Sequence, residues 1–301
     1  FKESVIDGYC IITDPNPAAL CPNGKKEMSG LAAAQRPAGD FGHGLGVASA
    51  AAGNPNSGGP GGVARDAKII MVRAEGGDPA IMAALEHLIE MKKTVNIVAV
   101  NMSFARTANS SRATVADCDG NPSLLPFKNV FKRVRLAGIM PFASAGNTPS
   151  KNDHLATFPA CISETVAVGS IDPLNQISPY VTASDKIEIF APDFPQVLRN
   201  GGVFGLLGGT STAAPVAVGA YAILRQAFPI KSDDEIVRAM ALAGKPISDP
   251  WLKNKTQIDL GATIKFLDTG ELPPTTPSAT PAPSATPAPS ATPTPSKECL
   301  P

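Results

Sequence analysis

Gly208-Gly209-Thr210-Ser211-Thr212-Ala213-Ala214-Pro215 is the stretch on which the reading of this chain turns. It continues Val216-Ala217-Val218-Gly219-Ala220-Tyr221-Ala222-Ile223-Leu224, with no charge before Arg225. A run of this kind predicts a helix packed on nearly all sides. The glycines before it let the backbone come closer to its surroundings than side chains would allow. Ser211 then stands at a helix N-terminus, where orphan N–H groups and the helix dipole favour negative charge. Two readings fit that place, a structural N-cap serine and a nucleophile. Taken alone, the stretch favours the cap.

The chain has 301 residues, 43% of them hydrophobic, enough for one large α/β domain with a sizeable core. Lysine plus arginine and aspartate plus glutamate number 26 each, so no basic field points to nucleic acid or to an anionic membrane. Only 17% of residues are charged, the balance of a compact, loop-rich and often extracellular protein. No apolar run reaches the length of a membrane span. The chain opens Phe1-Lys2-Glu3-Ser4-Val5-Ile6-Asp7, already strand-like, which reads as a processed or truncated start. Five cysteines, Cys10, Cys21, Cys118, Cys161 and Cys299, match no zinc or CxxC spacing, and no metal site is expected from them. Cys10 with Cys21 and Cys118 with Cys161 are candidate local disulfides, implying an oxidising compartment. Cys299 is left without a partner in this chain.

Outward from the serine stretch, apolar strand-like runs alternate with helical patterns. Residues 68–72, 95–102, 138–143 and 164–169 read as buried strands, and residues 80–92 and 124–137 as amphipathic helices. Ser232-Asp233-Asp234-Glu235 opens a further helix with an acidic, capped first turn. Near-continuous apolar strands separated by helices predict a mostly parallel central sheet covered on both faces, a three-layer α/β sandwich. Its site belongs at the C-terminal ends of the strands. Residues 1–270 form this domain, and residues 271–296 are a Pro/Ser/Thr-rich linker. Residues 297–301 read as the expected start of a further module. The linker carries the tandem units PSATPA, PSATPA and PSATPT and is expected to run as extended polyproline II. At ~3.1 Å per residue the stretch from Pro273 to Ser296 would span roughly 70 Å.

Four more segments bear on Ser211. His43 opens a second small-residue run between glycines, Phe41-Gly42-His43-Gly44-Leu45-Gly46-Val47. His87 lies inside an amphipathic pattern and reads as structural, and His154 lies in a polar loop. With these residues the chain resembles the subtilisin-like serine proteases, the subtilases, across residues 4–266. Gly209 to Pro215 is similar to the family's GTSxAAP motif, and His43-Gly44 to its HGTHVAG block. Asn101-Met102-Ser103 followed by Phe104 resembles the NMSLG substrate strand. Ala143-Ser144-Ala145-Gly146-Asn147 resembles the AAAGN segment, and Phe158-Pro159-Ala160 with Val166-Ala167-Val168-Gly169 resembles YPA…AVGA. Gly62-Val63-Ala64 resembles the GVAPxA lead-in to a core strand.

The resemblance implies a serine endopeptidase acting through an acyl-enzyme, with chain order Asp…His…Ser as in subtilisin, itself a worked example of that order. Ser211 is then the nucleophile, His43 the general base and Asn147 an oxyanion donor. Asp7, in Val5-Ile6-Asp7-Gly8, is the preferred triad acid; Asp14 is the rival, and Asp40 reads as a loop residue. Substrate-binding residues are Ser103, Phe104 and Ala105 on one side and Ser144, Ala145 and Gly146 on the other. No cofactor is required for the chemistry, and a structural calcium cannot be located. The partners are protein or peptide substrates, and the setting is extracellular or cell-surface.

The chain also departs from the family pattern. Leu45 and Gly46 stand where the family has Thr and a second His, and Ser49 where Gly is usual. Phe104, Ala105 and Arg106 replace Leu-Gly-Gly, which should narrow the specificity pocket or reshape its mouth. These changes keep a second reading open, an inactive subtilase fold used for binding or adhesion. An α/β-hydrolase esterase fits worse, since it needs GxSxG with the histidine after the serine.

Overall fold

In two of the near-continuous apolar segments every side chain is buried, as a strand covered on both faces requires, whereas the strand expected to be buried over residues 68–72 is only half-buried, with Val72 exposed. The five residues of β6 (Met140–Ser144) and the six of β8 (Val166–Ile171) are all inaccessible. A computed structural model describes residues 3–35, 42–55, 61–105, 112–148, 156–182, 184–193, 196–247, 249, 252 and 254–273.

The other strands are β1 (Val5–Ile12), β2 (Glu27–Ser29), β3 (Ile69–Glu75), β4 (Ala99–Met102), β5 (Arg112–Ala113), β7 (Ala156–Thr157), β9 (Ile187–Pro192), β10 (Gln196–Leu198), β11 (Phe204–Leu206), β12 (Lys245–Pro246) and β13 (Thr256–Gln257). The helices are α1 (His43–Ala52), α2 (Asp78–Met91), α3 (Val115–Gly120), α4 (Leu125–Leu136), α5 (Thr210–Ala227), α6 (Asp233–Leu242) and α7 (Leu260–Thr269).

Hydrogen bonding divides the expected central sheet into two. One has the order β12-β13-β9-β8-β6-β4 and the other β2-β1-β3. The pairs β4 with β6, β6 with β8, β8 with β9, β9 with β13 and β1 with β3 are parallel. Antiparallel pairing occurs in these two sheets at β1 with β2 and β12 with β13, and in two separate two-stranded sheets, β5 with β7 and β10 with β11. The strand expected over residues 95–102 pairs only from Ala99. The N–H of Val95 still bonds Met91 O at the end of α2, and that of Ile97 bonds Val95 O.

Strand alternation sends side chains to two cores. Met102, Ala143 and Ala167 pack with Leu85 and Leu88 of α2 and Phe127, Val130, Phe131 and Val134 of α4. Met140, Phe142, Val166, Val168 and Ile189 pack with Ala213, Ala217, Tyr221 and Leu224 of α5 and with α6. The fold is a three-layer α/β sandwich. Helix α6 begins with the expected capping box, Ser232 accepting from Glu235 N–H while Glu235 accepts from Ser232 N–H. Disulfides join Cys10 to Cys21, closing the loop after β1, and Cys118 of α3 to Cys161. The linker from residue 274 onward, with Cys299, lies outside the described residues, as do Asp40, Arg106 and His154.

Candidate active site

Helix α5 starts two residues earlier than the cap reading of Ser211 requires. Its N-cap is Gly209, in the left-handed half of backbone space at φ 102°, and Ser211 is the second helical residue. A cap glycine offers no side-chain acceptor, so the first N–H groups find others. Thr210 N–H goes to Asn147 Oδ1 at 2.9 Å, and the N–H groups of Thr212 and Ala213 go to Gly209 O. The Ser211 N–H is taken by neither acceptor and remains at the helix end with the half-buried Ser211 side chain.

Asn147 is oriented by the same turn. Its Oδ1 accepts from both the N–H and the Oγ1 of Thr210, each at 2.9 Å. Two donors on one amide atom identify it as the oxygen, so Nδ2 is the end left to donate. That nitrogen lies 2.9 Å from where a Cβ on Gly209 would sit, so a side chain at Gly209 would crowd the donor.

Three buried threonines, which sequence reasoning passed over, hold the Asn147 loop. Thr210 Oγ1 accepts from Gly146 N–H at 3.1 Å. Thr157 Oγ1 donates to Ala145 O at 2.8 Å, and Thr182 Oγ1 donates to Thr148 O at 2.9 Å. Gly146 has φ 108°, and a Cβ there would come within 2.5 Å of Thr157 Cγ2, so only glycine fits. A fourth support is Tyr180, whose hydroxyl accepts from Gly209 N–H at 3.2 Å and donates to the buried Asp193 carboxylate. Burial first, and then the bond to Asp193, raise the phenol pKa above its ordinary value, so the hydroxyl stays protonated. Thr210 was within the quoted motif but had no assigned role. Nothing local in sequence marks Thr157, Thr182 or Tyr180, because their partners lie 12 to 34 residues away.

His43 is the first residue of α1, preceded by Gly42 in the left-handed conformation at φ 81°. Two contacts give the sense of α1 against α5. A Cβ on Gly46 would meet Leu207 Cδ2 at 3.0 Å, and one on Gly219 would meet Ala51 O at 2.8 Å. The early part of α1 therefore lies beside the residues leading into α5, and its end beside the middle of α5. Both helices present their N-termini, with His43 and Ser211, to the same end of the molecule. Ser49, where the family prefers Gly, accepts from Leu198 N–H at 2.9 Å and donates to Gly46 O at 2.8 Å, tying β10 to α1.

Asp7 is the third residue of β1, beside a register shift. Its Oδ1 accepts from the adjacent Gly8 N–H at 2.8 Å. Gly8 pairs with Met71, whose methyl group lies 3.9 Å from a Cβ position on Gly44, in the first turn of α1. Strand alternation turns Asp7 with Ile70 and Tyr9 toward α2, and the Asp7 charge reaches His87 there. His87 stacks on Tyr9 with ring centroids 3.7 Å apart, the structural setting expected of it. Burial lowers the His87 pKa, opposed by Glu27 and Asp7. Asp14 follows β1, and its Oδ1 accepts from Asn16 N–H inside a turn whose carbonyls Lys26 gathers.

The two substrate segments differ from one another. Ser103, Phe104 and Ala105 follow β4, the edge strand of its sheet, and Phe104 is 39% exposed. Ser144, Ala145 and Gly146 are buried, and the backbone of the last two is already committed. Ala145 N–H bonds Val168 O, Gly146 N–H bonds Thr210, and Gly146 O accepts from Thr182 N–H. This segment therefore offers substrate a wall, while the β4 side offers a strand edge. Among the described residues no group of three or more His, Cys, Asp or Glu side chains is arranged to hold a metal. No helix among them is long and apolar enough to cross a membrane.

A helix N-terminus carrying a serine, an asparagine clamped beside it and a histidine-headed helix lie at the same end of a three-layer α/β fold. Residues 24–250 match the Subtilase family. The chain belongs to that family of serine proteases. It is 27% identical over 275 residues to the major intracellular serine protease of Bacillus subtilis, covering 87% of this chain and 78% of that protein. It is 27% identical over 197 residues to subtilisin E of Bacillus subtilis, covering 64% of this chain and 48% of that protein. Among solved structures it is similar to a protease of Pseudoalteromonas arctica, with TM-score 0.69 and 22% identity over 87% of this chain and 84% of the other. It is also similar to the prenylagaramide maturation protease PagA, with TM-score 0.62 and 19% identity over 87% of this chain and 92% of the other. The family match begins after both candidate aspartates.

Proposed function

We propose that the chain is an endopeptidase in which Ser211 Oγ adds to the scissile carbonyl carbon while His43 takes the hydroxyl proton. Asn147 Nδ2 and the Ser211 N–H stabilise the oxyanion. Collapse breaks the C–N bond, and His43 returns the proton to the leaving amine. A water molecule then attacks the acyl-enzyme with His43 again as base, releasing the acid and restoring Ser211. The observation that carries this reading is the double hydrogen bond from Thr210 to Asn147 Oδ1, which leaves Nδ2 to donate at the end of α5.

For the acid we retain Asp7. The support is its place in Val5-Ile6-Asp7-Gly8, ahead of His43 and Ser211 in the chain order Asp…His…Ser; its side chain lies on the α2 side of β1. Asp14 is engaged in its own turn. Extended substrate pairs with Ser103, Phe104 and Ala105 by strand addition and rests against Ser144, Ala145 and Gly146. The chemistry asks for no cofactor. The two disulfides support an oxidising, extracellular or cell-surface setting.

A fluorophosphonate probe tests the reading. Wild-type protein should be labelled at Ser211 and should hydrolyse casein, and Ser211→Ala should abolish both. Label persisting in that variant would overturn the assignment. Wild-type protein inert to probe and casein alike would favour the inactive binding fold.

A further inference from the structure

Pro215 is the sixth residue of α5 and lies inside the helix. In an α-helix the N–H of residue 215 would donate to the carbonyl of residue 211. Proline has no N–H, and its ring crowds that same carbonyl. The carbonyl left without its helical donor therefore belongs to Ser211. It is not left unsatisfied, because Ser103 Oγ donates to Ser211 O at 2.7 Å across 108 residues of sequence. The Ser103 hydroxyl is itself held, accepting from Asn101 Nδ2 at 2.9 Å, which directs its proton toward Ser211.

We propose that Ser103 is a positioning residue for the nucleophile, its hydroxyl replacing the backbone donor that Pro215 withholds from Ser211. The inference rests on reading Ser211 as the nucleophile. Any residue with an N–H at position 215 would draw the Ser211 carbonyl into the helix ladder. Proline instead hands that carbonyl to the end of β4, the same edge to which extended substrate is assigned. The nucleophile's peptide and the substrate strand then share one anchor, so their relative position depends on a single side chain. In this role the Ser103 hydroxyl acts through the Ser211 peptide.

A double-mutant cycle tests this, read by the rate of fluorophosphonate labelling and by kcat and KM on a peptide anilide. Ser103→Ala should slow labelling and lower kcat about tenfold, the size of one net hydrogen bond, with KM little changed. Ser103→Thr keeps a hydroxyl and should retain most of the rate. Pro215→Ala restores an N–H at that position, so Ser103→Ala in that background should cost less than about threefold. An equal loss in both backgrounds, or no loss from Ser103→Ala alone, would overturn the role. Should Ser103→Ala not fold, a folded double variant supports the role and an unfolded one overturns it. Wild-type protein that takes no label sinks the nucleophile assignment and this inference with it. Labelled wild-type protein with additive losses sinks only the inference.

Discussion

Thr210→Val replaces a hydroxyl by a methyl group at a fully buried position while keeping the branched shape. Two bonds go. Asn147 Oδ1 loses its side-chain donor at 2.9 Å, and Gly146 N–H loses its acceptor at 3.1 Å. A buried N–H without an acceptor costs about 1–3 kcal/mol. For a domain of this size each kcal/mol lowers Tm by about 2–4 °C. Turnover should fall for a separate reason. Asn147 keeps the Thr210 backbone N–H, so its amide is loosened rather than released. The loss in kcat should therefore lie below the about 10²–10³ that follows removal of a whole oxyanion donor, on the order of tenfold. KM should barely move, because the donor acts mainly in the transition state. The assay is steady-state hydrolysis of a peptide anilide for Thr210→Val, Asn147→Ala and the double variant, well below each Tm. If the hydroxyl acts through Asn147, adding Thr210→Val to Asn147→Ala should cost little further. An unchanged kcat, or an equal loss with and without Asn147, would refute the clamp.

Asp7→Asn should lower kcat by about 10⁴, the effect of losing the triad acid, while Asp14→Asn should leave it nearly unchanged. The reverse pattern would move the acid to Asp14. His87, lowered by burial, stays neutral in the folded state at pH values where the unfolded chain, near 6.5, takes a proton. The unfolded state then binds more protons, so this contribution is present above about pH 6.5 and fades as pH falls. His87→Gln should flatten that part of the curve of urea midpoint against pH, and an unaltered slope would contradict the burial argument. Replacing both Cys118 and Cys161 by Ser opens a 43-residue span and should cost about 4 kcal/mol in the loop-entropy account. The Cys10 and Cys21 pair, 11 apart, should cost about 3. Denaturant titration checks the order, and equal losses would point away from loop entropy.

Sequence reading was strongest where the signal is local. The all-buried strands β6 and β8 were visible as unbroken apolar runs, α6 as a capping box, and the serine helix as a small-residue run after two glycines. It erred where neighbouring segments compete for the same backbone groups. Ser211 looked like a cap until Gly209 took that place and Asn147 supplied the acceptor. Residues 95–98 looked like strand until the end of α2 claimed the Val95 N–H.

By itself the sequence determined the α/β class and the chemical types at the site, because residue identity and periodicity act within a few residues. Only the tertiary structure decided which atoms of those residues are free. The Thr210 clamp on Asn147, the Tyr180 bond to Gly209 and the Ser103 bond to Ser211 join partners 63, 29 and 108 residues apart. A hydrogen bond is satisfied or left open by what folding brings within about 3 Å, and no local pattern records that distance.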